Sequence, residues 1–367
     1  MAKQTSITAA KKIVVVGAGG NIGSHLVPHL ARMPNVSRVT LIDRDVYEAK
    51  NLWPQDISPS DVGKRKVGVQ ARRLRRINPD VQVEAIYDAV ERVALGRLRG
   101  DVILACLDSR IARQQVNQFA WRLGVPLIDA GVEPSALLAR INVYIPGADN
   151  SCLECAWDDR DYEALEQSYP CGGFVSTVAA TNAPSSLGAL AASLQALECQ
   201  KLLAGQTDQV AIGKQVLIDA LHHKHYVTAI RRNKNCRFDH RVRQIRKLGL
   251  LPGENTLQQV FARLNAHGNG AAVLSVEGKP FAKRLTCPSC GETRALLRLE
   301  CTLSEKQRKC GNCGQRMITT GFDLLERLGP EAVFSGALSR SLFGLGLRSG
   351  DVFSLGEGED ESHYEIS

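Results

Sequence analysis

Aromatic residues make up only 5% of this 367-residue chain, and three methionines and three tryptophans are spread thinly through it. So few stacking surfaces make nucleic acid an unexpected partner. No uncharged apolar stretch reaches the ~18 residues that a membrane-spanning helix needs, which excludes helical spans. Residues Met1 to Ala10 lack the apolar core and small-residue cleavage site of a secretory leader, so the cytoplasm is the expected compartment. No heptad, triplet or internal repeat persists, which excludes coiled-coil and collagen-like chains. What remains is an ordinary globular composition: 44% hydrophobic residues, 46 Lys and Arg against 38 Asp and Glu, and a formal charge of +8. The basic excess gathers in Arg72–Arg76 and between Arg231 and Lys247, runs that read as solvated faces.

Cysteine, by contrast, is plentiful. A chain of this size in a reducing compartment keeps its thiols free, and six of the eleven cysteines form Cys-x-x-Cys pairs at Cys152/Cys155, Cys287/Cys290 and Cys310/Cys313. Metal is the expected ligand. Nineteen residues separate the last two pairs, and Gly291, Gly311 and Gly314 supply their turns, the pattern of a four-cysteine zinc ribbon. A closed four-thiolate site is structural. Its Zn2+ would supply stability that a unit of roughly 40 residues cannot draw from its own core. Cys106, Cys199 and Cys301 fall at core positions, whereas Cys171, in Ser168-Tyr-Pro-Cys-Gly-Gly, lies in a segment with neither helical nor strand period.

The first half alternates strand-like and helix-like segments. Apolar runs at Lys12–Val16, Arg38–Asp43, Val81–Ile86, Asp101–Cys106 and Val125–Asp129 are separated by helical patterns after Leu26, at Lys66–Ile77 and at Arg110–Leu123. This predicts an α/β fold, a doubly wound Rossmann-like sheet with a parallel first half. Alternation at Leu138–Tyr144, a helix marked by Leu187, Leu190, Leu194, Leu197 and Leu202, and two strands within Gln215–Ile230 predict an antiparallel second half. The expected domains are residues 1–248, a connecting segment 249–280 with a helix at Thr256–Ala266, the ribbon 281–320, and an extension 321–367. That extension holds a short helix at Phe322–Leu328 and a solvated acidic tail carrying Glu357, Glu359, Asp360 and Glu361.

Val16-Gly17-Ala18-Gly19-Gly20-Asn21-Ile22-Gly23 joins the first strand to a helix, where backbone N–H groups and the helix dipole favour phosphate oxygens. Asp43 ends the second strand, placed to accept from ribose hydroxyls. After this come Asp43-Arg-Asp45-Val-Tyr-Glu-Ala-Lys-Asn51-Leu-Trp-Pro54-Gln55, then Gly63-Lys64-Arg65-Lys66, Ile77-Asn78-Pro79 and Asp108-Ser-Arg-Ile-Ala-Arg113. From about residue 11 to 240 the ordered series resembles the adenylating family of ubiquitin-activating enzymes, whose bacterial members are of the ThiF, MoeB and HesA types.

The resemblance implies Mg2+·ATP-dependent adenylation of the C-terminal glycine of a ubiquitin-like or sulfur-carrier protein. It implies that Gly17, Gly19, Gly20 and Gly23 line the phosphates and Asp43, beside Asp45, holds the ribose. Asn51, Gln55 and Lys66 would contact the nucleotide and Asp108 would hold Mg2+, with Lys66 and Asp108 as catalytic residues. Asp108 has a second reading as the N-cap of the helix from Arg110. Cys171 stands where the family carries an acceptor thiol for a thioester or for sulfur transfer; the other reading is a passive loop cysteine. Cys152 and Cys155 with Cys236 and His240 would replace the family's two Cys-x-x-Cys pairs as a zinc site of three thiolates and one imidazole, unless Cys236 and His240 are unrelated neighbours. A homodimer and a downstream conjugating or sulfur-transfer protein are also implied.

Three features depart from the family pattern: the glycine loop is one residue longer, Pro54 replaces an Arg, and some eleven residues precede the first strand. Other readings of the chain are adenylation of a non-protein carboxylate such as a tRNA nucleoside, a scaffold subunit without turnover, and a dehydrogenase. Ile22, where a dinucleotide fingerprint has Gly, argues against the last.

Overall fold

The computed structural model describes residues 10–166, 183–265, 273–329, 336, 338–356 and 361–366. They fall into two compact units, one within residues 1–90 and 98–242, the other within 91–97 and 243–367. Among the described residues no helix is long and apolar enough to cross a membrane.

In the first unit the chain runs β1 (Lys11–Val16), α1 (Asn21–Leu30), β2 (Val36–Ile42), α2 (Lys66–Ile77), β3 (Gln82–Ile86), β4 (Val102–Ala105), α3 (Arg110–Leu123), β5 (Leu127–Glu133) and β6 (Leu138–Tyr144). It continues through α4 (Asp159–Glu166), α5 (Ser185–Leu203), β7 (Lys214–Asp219) and β8 (Lys224–Ala229). One eight-stranded sheet has the order β3-β2-β1-β4-β5-β6-β7-β8. Pairs from β3 through β5 are parallel, and those from β5 through β8 are antiparallel. This is the Rossmann-like mixed sheet expected from the sequence. Ile13 to Val16 are at most 2% exposed, as β-branched residues in a strand covered on both faces should be.

The buried face of α5 follows its leucine pattern at Leu187, Leu190, Leu194 and Leu202 and departs from it at Leu197. Leu187, Ala191, Ala192, Ala196 and Cys199 are buried, while Leu197 is 57% exposed. Small side chains let α5 lie close to α1, and a Cβ at Gly188 would meet Asn21 Oδ1 at 2.0 Å.

The second unit contains β9 (Ile245–Leu248), α6 (Leu257–Asn265), β10 (Leu274–Val276), β11 (Phe281–Thr286), β12 (Thr293–Leu299), α7 (Glu305–Arg308), β13 (Leu324–Leu325), β14 (Arg327–Leu328), β15 (Val352–Leu355) and β16 (Ser362–Ile366). They form a five-stranded sheet, β14-β10-β15-β16-β9, and a three-stranded one, β12-β11-β13. Several expectations are corrected here. The segment 249–280 is no simple connector, because Leu250, Leu257, Val260, Phe261, Leu274 and Val276 enter a core with Leu342, Phe353 and Ile366. Residues 245–248, assigned to the first domain, form an edge strand parallel to β16. The chain end is not a solvated tail, since β16 is paired on both sides and Ile366 is fully buried; of the four acidic residues only Glu361 lies within the described residues. The helix expected at Phe322–Leu328 is instead a turn at Gly321–Asp323 followed by β13 and β14. Residues 91–97 join this unit through Lys279, whose Nζ donates to Val93 O at 2.8 Å and lies 3.1 Å from Asp351, both side chains buried.

Candidate nucleotide site and metal centres

The glycine loop occupies the carboxyl end of β1, and the residues proposed from the sequence surround it. Gly17 and Gly20 bound its tight turn, with Gly20 N–H donating to Gly17 O at 3.2 Å. A Cβ at Gly19 would fall 2.3 Å from Lys66 Cβ and 2.9 Å from the Tyr47 hydroxyl, so glycine is required where the Lys66 stem crosses the loop. A Cβ at Gly23 would meet Gly17 O at 2.2 Å, so the last glycine lets α1 dock onto the loop despite the additional residue. Asn21, within the lengthened loop, opens α1, and its Nδ2 donates to Pro54 O at 2.5 Å and to Ala183 O at 3.1 Å.

Asp43 is buried and accepts from Gly19 N–H at 2.9 Å and from Asp45 N–H at 3.0 Å. Burial pushes its carboxyl above the usual carboxylate range, and nearby Lys66 and the two N–H groups oppose this. Lys66 starts α2, is 7% exposed, and sets Nζ 3.2 Å from Asp45 Oδ2. Asn51 is buried in a turn at Ala49–Leu52 and accepts from Glu48 N–H at 2.8 Å. Gln55 follows, with Oε1 buried and without a partner among the described residues. Asp108 is exposed beyond the end of β4. The N-cap of α3 is Ser109, whose Oγ accepts from Ala112 N–H, so the capping reading of Asp108 is corrected.

Arg44, Lys64 and Arg65, the nearby cations that could stand in for the Arg replaced by Pro54, make no hydrogen bond to the glycine loop among the described residues. Arg44 lies 3.9 Å from Asp45, Arg65 stacks 4.4 Å over the Tyr87 ring, and Lys64 is exposed. Beside Pro54 the structure places Arg73, paired with Asp56 and donating to the Asp56 carbonyl at 2.9 Å. His25 faces the same carboxylate at 3.8 Å and bonds Ser185 Oγ at 2.9 Å; burial lowers its pKa below the ordinary 6.5. A buried cluster behind Asp108 also went unseen in the sequence. Arg113 pairs with Asp129 and donates to Leu107 O, and Arg140 holds the second Asp129 oxygen at 3.0 Å. Its one available signal was an Asp inside an apolar strand. Cys171 lies outside the described residues.

Both four-donor metal sets converge. Cys152 Sγ is 3.8 Å from Cys155 Sγ and from Cys236 Sγ, and Cys155 Sγ is 3.2 Å from His240 Nε2. All four donor atoms lie within 4.8 Å of one another. A zinc tetrahedron with Zn–S bonds of ~2.3 Å has edges of ~3.8 Å, so the spacing fits zinc. Hydrogen bonds from Cys152 and Cys236 hold the Cys155 thiol far below its usual range, toward the thiolate that ligates metal. Trp121 and Phe238 wall the site, the Trp121 ring 4.8 Å from His240. In the ribbon, Cys287 and Cys313 sulfurs lie 3.4 Å apart, Cys290 and Cys310 sulfurs 3.6 Å, a cluster consistent with zinc. Knuckle N–H groups, first that of Cys290, hold the Cys287 thiol down at about 7.

With this geometry in view, comparison with known proteins is decisive for the first unit. The profile of the ThiF family matches residues 1–238. The chain belongs to the ThiF family. Sulfur carrier protein ThiS adenylyltransferase of Escherichia coli K12 is 29% identical over 228 residues, 61% of this chain and 84% of that protein. Ubiquitin-like modifier-activating enzyme 5 of Culex quinquefasciatus is 28% identical over 57% of this chain, which spans 55% of that enzyme's length. The ThiF-family fold is shared with E. coli MccB, at 24% identity and a TM-score of 0.51 over 63% of this chain and 65% of that one. As a ThiF-family protein the chain is homologous to ATP-binding adenylyltransferases; its ribbon lies beyond the matched region.

Proposed function

We propose that this protein adenylates the C-terminal glycine carboxylate of a ubiquitin-like or sulfur-carrier protein with Mg2+·ATP, releasing pyrophosphate, and that Cys171 then accepts the acyl group as a thioester with release of AMP, or takes part in sulfur transfer. The observation that carries this reading is the convergence of Gly19, Asp43, Asp45 and Lys66 on one loop, with Asp108 exposed at the end of the neighbouring parallel strand. The N–H groups at the start of α1 bind phosphate oxygens, since those of Gly17 to Gly20 are donated within the protein. Asp43 already accepts two N–H bonds, and an ionised carboxylate has further lone pairs for ribose hydroxyls. Lys66, held by Asp45, stands where negative charge grows as a carboxylate attacks the α-phosphorus and pyrophosphate leaves. Asp108 would hold Mg2+, which supplies charge neutralisation for that leaving group. Both four-donor sets would hold structural Zn2+, and the protein would act as a homodimer handing its product to a conjugating or sulfur-transfer partner.

The test is ATP–pyrophosphate exchange with small glycine-terminated proteins from the same cell. Exchange should depend on one candidate and disappear in Asp108→Ala. Exchange unchanged in that variant would refute the assignment of Asp108. ATP binding without exchange for any candidate would turn the reading toward a non-protein carboxylate or a required second chain.

A further inference from the structure

Five of the chain's eight net positive charges reside in residues 281–320, which carry eight Lys and Arg against three Asp and Glu. These residues form no run in the sequence; the fold collects them at the second knuckle. Lys306, Arg308 and Lys309 precede Cys310, and Arg316 faces Lys309 across an isolated antiparallel bridge. From β12, Arg294 lays its guanidinium on the Gln307 carbonyl and within 3.5 Å of the Lys309 carbonyl. Two carboxylates answer these five cations: Glu300 pairs with Arg308, and Glu305 lies 3.2 Å from Arg316. Lys306 and Lys309 are exposed and have no ion pair among the described residues. The sulfurs do not claim them, since Cys287 is served by the N–H groups of Cys290 and Ser289, and Cys310 by those of Cys313 and Asn312. Past Arg316 the chain buries Met317 and then exposes Ile318, 43%, and Phe322, 92%. Phe322 is presented on a turn fixed by Asp323, which accepts from Thr320 at 2.7 Å and pairs with Arg284 at 3.0 Å.

We propose that this knuckle is a binding surface for single-stranded nucleic acid. The cations follow a phosphate backbone, and Phe322 offers a face to a base; an acidic protein would use the charges but would have no need of an exposed ring. The composition, poor in aromatics overall, gave no hint of this, because one well-placed ring and five scattered cations leave no compositional trace. The inference does not depend on the adenylation reading.

The experiment is fluorescence anisotropy of the zinc-loaded full chain with labelled oligouridine and oligothymidine of about 12 nucleotides. With about three phosphates neutralised, log affinity should fall against log salt with a slope near −2. Charge reversal at Lys306→Glu and Lys309→Glu together should weaken binding by at least about tenfold and flatten that slope, with zinc content unchanged. Phe322→Ala should weaken binding at constant slope. The milder Lys306→Gln/Lys309→Gln pair, with an intermediate loss, guards against a folding defect. Preference for RNA or for DNA identifies the physiological strand. No measurable binding at low salt, or binding indifferent to both double variants, overturns the proposal. Equal competition by a glutamate-rich peptide of matched charge overturns it in favour of an acidic protein.

Discussion

The side-chain amide of Asn21 donates to the backbone carbonyl of Pro54 at 2.5 Å, so two departures from the family pattern meet in one hydrogen bond. Asn21, in the lengthened loop, thus ties down the turn that carries Pro54 between Asn51 and Gln55. The same amide reaches Ala183 at the start of α5. Asn21→Ala should therefore raise the KM for ATP in exchange while leaving kcat within a few fold. It should also lower stability by about 1–2 kcal/mol, as lost hydrogen bonds to buried carbonyls do. Thermal melts and exchange kinetics on one preparation separate the two effects.

Gly19 tests the loop more severely. Its substitution by Ala drives a methyl into the Lys66 stem, which is 7% exposed and has little room to retreat. Overpacking of this kind costs about 1–3 kcal/mol, and the displaced ammonium should cut exchange by about 100-fold or more. A variant with full activity would show that the Lys66 position is not set by this contact.

The His25 environment gives the fold a pH dependence of definite sign. Burial depresses its folded pKa below the unfolded 6.5, with His29 on the same helix shifted in the same direction. Between those values the unfolded chain binds more protons, so stability rises with pH and is lost as pH falls below 6.5. The groups facing His25 are Asp56, Arg73 and His29. Melting temperature measured from pH 7.5 downward should fall less steeply in His25→Asn than in the parent, with zinc content checked at each pH.

Asp129 is nearly fully buried between Arg113 and Arg140. Asp129→Ala would leave a buried guanidinium without its counter-charge, a loss of about 3–5 kcal/mol. Chemical denaturation should register it, with the Asn variant intermediate.

Zinc removal should act on the two centres separately. Metal analysis should find two zinc ions per chain, falling to one in Cys310→Ala and to one in His240→Ala. Only the first should make residues 281–320 sensitive to protease, because that ribbon's small core of Ala282, Leu285, Leu303 and Met317 is organised around Cys287 and Cys310.

Most of the first unit was legible in the sequence because its signals are local. Buried strands read as apolar runs, and the helices Lys66–Ile77 and Arg110–Leu123 have the limits their patterns predict. The clustering of Gly19, Asp43, Asp45 and Lys66 was legible in the same way, through residues at fixed offsets from strand ends. Where local pattern and partner are far apart, it failed. β16 reads as polar, yet it is a strand because β15 and residues 245–248 flank it. Asp129 and Arg113 meet across 16 positions, and Asn21 meets Ala183 across 162, relations that no spacing rule contains. In α5 one leucine misled: Leu187 is buried and Leu190, Leu194 and Leu202 pack on the core, but close helix packing turned alanines inward and left Leu197 out.

Residues 91–97 belong to a unit whose remaining strands are encoded after Arg243, and Gly96 N–H is bonded to Gly350 O. During synthesis this short stretch leaves the ribosome long before its partners exist. It must stay uncommitted while the sheet on either side of it in sequence closes, until the C-terminal strands are made. A truncated protein ending near residue 248 would keep the family-matching region but leave the Val93 carbonyl without Lys279 and the Gly96 N–H without Gly350. Isolating the family-matching half of this molecule would thus leave backbone groups without their partners in the middle of its own sequence.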